Sequence, residues 1–270
     1  MPARTFLVAL AFLCLSGAAF CSPGTARAQE GAPRSAVTQP MAVMELFTSQ
    51  GCSSCPAADA IFASHADRDD VLALAWHVDY WDYLGWRDPL AHPASTERQR
   101  LYARMLGEGV YTPQLIVNGV VEGVGHRRDD VRQMLAAART AAERDGNGFV
   151  KLSVDRRGEG YHVSLAGAAA TERARVDGAM LFLVWFDSRH EVRIPRGENA
   201  GRTVVYRNAV RGMQMLGSVS DGRLEVTLPF DALRRAVPGA KSCALVLQRT
   251  VDGAPGPIVG AAMLGDLSDR

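Results

Sequence analysis

The stretch from Val43 to Phe62 constrains this chain more than any other. An apolar run, Val43-Met-Glu-Leu-Phe47, ends at Thr-Ser-Gln-Gly51, and two cysteines, Cys52 and Cys55, follow at C-x-x-C spacing. An alanine-rich stretch then continues to Phe62. The pattern reads as strand, tight loop and helix, with Cys52 where the helix begins. Unpaired backbone N–H groups and the helix dipole stabilise a thiolate at such a position, so Cys52 is expected to be unusually acidic. Cys55, one turn further on, is placed to resolve a mixed disulfide formed at Cys52. Half of a structural zinc site has the same spacing, so a metal reading stays open. However, no second C-x-x-C or close histidine pair follows, and the next cysteine is the distant Cys243.

Residues 1–28 read as a Sec leader rather than as part of the fold. Arg4 provides a positive start, Phe6 to Phe20 an apolar core, and Ala26-Arg-Ala28 a small-x-small cleavage site after Ala28. The protein is therefore expected to be periplasmic or secreted. After cleavage no remaining stretch reaches the ~18 apolar residues of a membrane span, so no stable membrane insertion is expected. Of 30 Lys and Arg and 29 Asp and Glu, the leader removes two arginines, leaving a mature charge of −1. That balance gives no basis for a nucleic-acid partner or an anionic membrane surface. Three cysteines remain, Cys52, Cys55 and Cys243, which fits one redox pair and one spare thiol in an oxidising compartment.

Residues 29–40 are rich in Gly, Pro, Ser and Gln and read as a flexible lead-in. A strand over Ala42 to Phe47 and a helix to about Ala66 follow, the helix burying Ala60, Ile61, Phe62 and Ser64; Pro56 is tolerated in its first turn. Val71 to Trp76 is a nearly continuous apolar run, as in a strand buried on both faces. Three of the four tryptophans then fall at Trp76, Trp81 and Trp86, among Tyr80, Tyr83 and three aspartates. This segment reads as a long ordered loop, either a satellite core or a wall of a site at a strand end. His77 opens it, as a structural residue, a charge partner of Cys52, or a metal ligand. A helix over Ala94 to Leu106, with Leu101, Met105 and Leu106 inward, ends at Gly107. Asn118-Gly119 between apolar runs predicts a type I′ hairpin. A helix over Arg127 to Glu143 then ends at the polar stretch Asp145 to Gly148.

Strand, C-x-x-C helix, strand, helix, Thr112-Pro113, hairpin and helix resemble the thioredoxin superfamily over roughly residues 40–145. More closely, the blocks Glu45 to Pro56, His77-Val-Asp-Tyr-Trp81 and Tyr111-Thr-Pro113 resemble the DUF1223 family of exported bacterial proteins. The resemblance implies that Pro113 is a cis-proline facing the dithiol, with Thr112 offering backbone to an extended substrate peptide. It makes Glu45 the candidate for a buried catalytic acid. His77, Tyr80 and Trp81, at the end of an apolar strand where open α/β sheets place ligands, are candidates for substrate contact.

From Phe149 the texture changes to short apolar runs with Gly-rich turns, starting near residues 149, 161, 179, 203, 224, 243 and 257. Only Asp231 to Ala236 looks helical, Arg189 to Arg202 is a long polar interruption that could reach over the dithiol, and Cys243 sits inside an apolar run as a buried thiol. The expected fold is an α/β thioredoxin-like domain over residues 41–147, followed by an antiparallel β-rich, sandwich-like domain over 148–270. The expected function is thiol–disulfide exchange at Cys52 and Cys55, on protein or small-molecule thiols or disulfides, with an unidentified redox partner and no cofactor. The alternatives are a copper-binding protein using Cys52, Cys55 and His77, and a non-catalytic binding module.

Overall fold

Two all-buried parallel strands form the centre of the fold. They are β1 (Ala42–Thr48) and β2 (Val71–His77), paired in register from Ala42 opposite Val71 to Thr48 opposite His77. Both lie buried on both faces, which explains their nearly unbroken apolar sequences. The crossover between them carries α1 (Cys55–Ala63). After β2 come α2 (Pro93–Leu106), the hairpin of β3 (Gln114–Val117) and β4 (Val121–Gly123), and α3 (Arg128–Arg144). Asn118 and Gly119 both take positive φ, 51° and 69°, as the type I′ turn requires. A computed structural model describes residues 37–144, 148–165 and 170–267; the expected leader and most of the lead-in lie outside them. Thr38, in the last residues of that lead-in, is held against the backbone of Met263.

The remaining elements are β5 (Ser153–Arg157), β6 (Gly160–Leu165), α4 (Ala170–Val176), β7 (Met180–Arg193), β8 (Thr203–Ser218), β9 (Leu224–Pro229), α5 (Phe230–Ala236), β10 (Ser242–Val251) and β11 (Ala254–Asp266). They do not build a second domain beside the first. Eight strands form one mixed sheet in the order β11-β10-β7-β8-β2-β1-β3-β4, and β5-β6-β9 form a small second sheet. The join is β2 against β8, where Ala75 lies beside Ala209 and the Asn208 side-chain amide donates to the Ala73 carbonyl at 2.9 Å. The expected thioredoxin-like domain followed by a separate sandwich-like domain is thus corrected to a largely β protein around one large sheet. The described residues cluster as one compact unit. Apolar periodicity shows which faces of a strand are buried but not which strand lies along its edge, and the edge of β2 is where the expectation failed.

The core follows the same continuity. Val43, Phe47 and Leu74 share one buried cluster with Val184, Val246 and Ile258 from the other half of the chain. On the opposite face of the β1–β2 pair, Met44 and Leu46 pack on Ile61 and Phe62 of α1 and on Val131 and Met134 of α3. The face of α1 that turns inward carries Cys55, Ala58, Asp59, Ile61 and Phe62; Ala60 and Ser64, expected there, are exposed. The inward face of α2 is more polar than expected, with Ser95, Thr96, Gln99 and Tyr102 buried; of the residues expected there, Met105 and Leu106 are half-buried against the core and Leu101 is half-buried.

Candidate functional site

The two cysteines are joined as a disulfide, with Cα atoms 5.4 Å apart and 1 % and 0 % exposure. Cys52 lies in the turn before α1, whose first residue is Cys55, so the helix begins three residues later than expected. The Cys52 amide closes a turn on Ser49 O at 3.2 Å, and Ser53 and Ser54 between the cysteines are exposed. Gly51 permits this turn to sit against the aromatic segment: a Cβ there would come within 2.9 Å of Trp81 Cβ.

Several expected site residues do converge. The Thr112–Pro113 bond is cis, and the Thr112 carbonyl oxygen lies 3.6 Å from Cys52 Sγ. Trp81 Nε1 donates to Thr112 Oγ1 at 2.8 Å, and Tyr80 packs beside the Trp81 ring with centroids 6.2 Å apart. Gln99 of α2 steadies the same turn by donating to the Tyr111 carbonyl at 2.7 Å. His77 is brought in from below, fully buried at the end of β2. Its Nδ1 lies 2.8 Å from Asp88 Oδ2, and its ring meets Tyr206 of β8 edge-on at 4.7 Å. Asp88 Oδ2 also accepts the Gln50 amide at 3.0 Å, and its Oδ1 the Leu90 amide at 2.8 Å. One carboxylate therefore ties the imidazole to the loop that carries the cysteines.

Glu45 is not brought to the dithiol. Strand alternation puts it on the α2 face of β1, opposite to the face that meets α1. Arg98 Nε donates to Glu45 Oε1 at 2.7 Å, and Tyr102 donates its hydroxyl proton to Oε2 at 2.5 Å. Arg98 also donates to the side chain of Gln248 on β10 at 2.9 Å and lies over the rings of Trp76 and Tyr102, 5.0 Å from each centroid. The role expected of Glu45 as a catalytic acid is replaced by a buried clamp between β1, α2 and β10.

A second buried acid on the dithiol side, besides Asp88, is Asp59. It follows Cys55 by four residues on the inward face of α1, which stacks the two side chains one turn apart. Thr48 donates its hydroxyl proton to Asp59 Oδ1 at 2.8 Å, and His77, the register partner of Thr48, points to the same face. Burial pushes the Asp59 carboxyl up to about 7, against the pull of His77 and Thr48. Burial alone would lower His77, but the charge and hydrogen bond of Asp88, with Asp59, raise it above its ordinary value. Burial works against the charge of Asp88 as well, yet His77 and the Gln50 and Leu90 amides hold it below the usual range. Asp59 Oδ2 and His77 Nε2 are both buried without a hydrogen-bond partner among the described residues. The clue in the sequence was an acid at i+4 from Cys55 on an apolar face.

The polar interruption also reaches the site, through residues that sequence reasoning left unassigned. Strands run to Arg193 and resume at Thr203, so only the tip of the β7–β8 hairpin is irregular. Asn199 Nδ2 donates to the carbonyls of Gln50 at 3.0 Å and Cys52 at 2.8 Å, and Glu198 Oε2 accepts the Ser53 amide at 3.1 Å. Among the described residues no three His, Cys, Asp or Glu side chains form a set arranged to hold a metal ion.

A family model described as "Protein of unknown function (DUF1223)" matches residues 43–248. Among solved structures, the chain resembles protein AGR_C_4864 from Agrobacterium tumefaciens, with 34 % identity and a TM-score of 0.69 over 83 % of this chain and 94 % of that one. It also resembles HBP35 of Porphyromonas gingivalis, with 13 % identity and a TM-score of 0.53 over 83 % of this chain and 74 % of that one, a likeness of fold alone. A search of curated proteins finds no match.

Proposed function

The chain belongs to the DUF1223 family, whose function is unknown, so its chemistry has to be read from the site, and we propose thiol–disulfide exchange at Cys52 and Cys55. The observation that supports this most is the placement of the Cys52–Cys55 disulfide one turn above the buried acid Asp59. Thiol–disulfide exchange needs a sulfur to attack, a sulfur to leave and somewhere for the proton to go. A substrate thiolate attacks Cys52 Sγ; the Cys52–Cys55 bond breaks and its electron pair leaves on Cys55. A mixed disulfide joins Cys52 to the substrate, and Cys55 takes a proton from the Asp59–His77 pair beneath it. A second substrate thiolate then displaces Cys52, releasing the substrate as a disulfide and leaving the protein dithiol. Run in reverse, Cys55 returns its proton and closes the ring. Cys52 is assigned the outer role because it borders the exposed Ser53 and the Thr112 carbonyl, whereas Cys55 is the first residue of α1 and is fully buried on its inward face. The Thr112 backbone and the Trp81 ring beside it are the surfaces on which an extended substrate would rest.

The same reading takes the protein to be exported, supported by the leader pattern of residues 1–28. Trapping tests the reaction: a Cys55→Ala variant incubated with a disulfide peptide should accumulate a mixed disulfide at Cys52. Absence of any adduct, with Cys52 shown to be accessible to iodoacetamide, contradicts the reading.

A further inference from the structure

We propose that Glu198 and Asn199 form a latch by which the tip of the β7–β8 hairpin holds the dithiol loop and sets the acidity of Cys52. The inference deepens the exchange reading, on which its biological use rests, but its geometry stands by itself. Asn199, at 1 % exposure, spends both of its amide protons on the Gln50 and Cys52 carbonyls. It thereby fixes the loop from a segment nearly 150 residues away in sequence, a separation of 147 to Cys52. The base of the tip is rigid: Ile194 is fully buried and exchanges backbone hydrogen bonds with Gly201 and Arg202.

Glu198 supplies the electrostatics. Its carboxylate accepts the Ser53 amide, one of the N–H groups at the approach to α1. Those groups would otherwise stabilise a Cys52 thiolate. In the disulfide form no sulfur anion exists, and the carboxylate occupies their anion position. On reduction, a Cys52 thiolate needs the same groups and meets a like charge. Cys52 is then a weaker acid than its position alone would make it, and ionising it loosens the latch. Among the described residues, the other ionisable groups around the loop include Cys55 and Asp59 from α1, His77 from β2, Tyr80 beside Thr112, Asp88 from the segment after β2 and Tyr206 from β8. The Thr112 turn presents a carbonyl, and Arg196 and Arg202 on the tip are exposed. Glu198, by contrast, has its carboxylate on the Ser53 amide, between the two cysteines.

The test is the pH profile of Cys52 alkylation by iodoacetamide in the fully reduced protein, with the site read by mass spectrometry. Glu198→Gln should shift the profile to lower pH, with about tenfold faster alkylation below the midpoint for a one-unit shift, and high salt should narrow the gap. Asn199→Ala should speed alkylation at every pH without moving the midpoint. Trypsin should cut the wild type after Arg196 several-fold faster when reduced than when oxidised, and this difference should vanish in Glu198→Gln. Superimposed profiles for wild type and Glu198→Gln, or equal cleavage of both wild-type forms, overturn the latch. Alkylation needs no redox partner, so a shifted profile in a protein that does not exchange with glutathione rejects the exchange reading and leaves the latch standing.

Discussion

His77 Nδ1 and Asp88 Oδ2 sit 2.8 Å apart with both side chains buried, and the same carboxylate oxygen holds the amide of Gln50, two residues before Cys52. The pair fixes the orientation of the imidazole and anchors the dithiol loop to the end of β2. It does so in a region where a lone charge would be costly.

Removing the charge of Asp88 should therefore unsettle the fold. Asp88→Asn is expected to cost about 3–5 kcal/mol, the usual penalty for breaking a buried pair by deleting one partner. Urea denaturation of the oxidised protein measures it. An unchanged midpoint would show that the pair contributes little.

Stability should fall as pH rises from about 4 to 8. The Asp59 carboxyl goes from an ordinary 3.8 to about 7 in the fold, so between these values the folded chain keeps a proton that the unfolded chain has released, and folding weakens with pH. His77 is raised from 6.5, so its contribution is present below that value and is lost as pH rises through its folded value. Asp88 is depressed, and acts only at the acid end, below 3.8. Thermal melts at pH 5 and pH 8 should show Asp59→Asn gaining on the wild type at the higher pH by about 1 kcal/mol or more, roughly 2–4 °C for a chain of this size. Parallel curves would contradict the assignment.

Glu45 should matter for stability and not for redox chemistry. Glu45→Ala leaves Arg98 buried without its partner and should destabilise the protein by about 3–5 kcal/mol. The Cys52–Cys55 potential of the folded variant should equal that of the wild type. A shifted potential would return Glu45 to the active site.

Cys243 should be inert in the native protein. It is fully buried in β10, and burial pushes its thiol up to about 12. Iodoacetamide should label it only in denaturant; labelling at native Cys243 would contradict its placement.

The local elements of the first half could be read from the sequence because each is announced by contiguous residues. The apolar runs of β1 and β2, the Asn118-Gly119 turn and the Gly107 stop of α2 all fall where expected. Cys52 and Cys55 were legible because the chain itself brings them together, whereas the Thr112–Pro113 turn, 60 residues from Cys52, was expected there only from the family resemblance. What escaped depended on contacts between distant segments. The alignment of β8 on β2 rests on Ala75 and Ala209 and on one Asn208 amide, which leave no periodic trace. Glu198 and Asn199 look like solvated loop residues until the β7–β8 hairpin is folded. Glu45 was misassigned because its residue type and position were read without the face of its strand, and Asp59 was missed because the inward face of α1 was rotated in the expectation.

The most direct measurement of the exchange reading is a redox titration of the mature protein in glutathione buffers, read by thiol trapping. One reversible two-electron transition is expected, abolished in Cys52→Ser and falling within the span of about −270 to −120 mV covered by known dithiol oxidoreductases. A Cys52–Cys55 pair that stays wholly oxidised or wholly reduced across that span would contradict it.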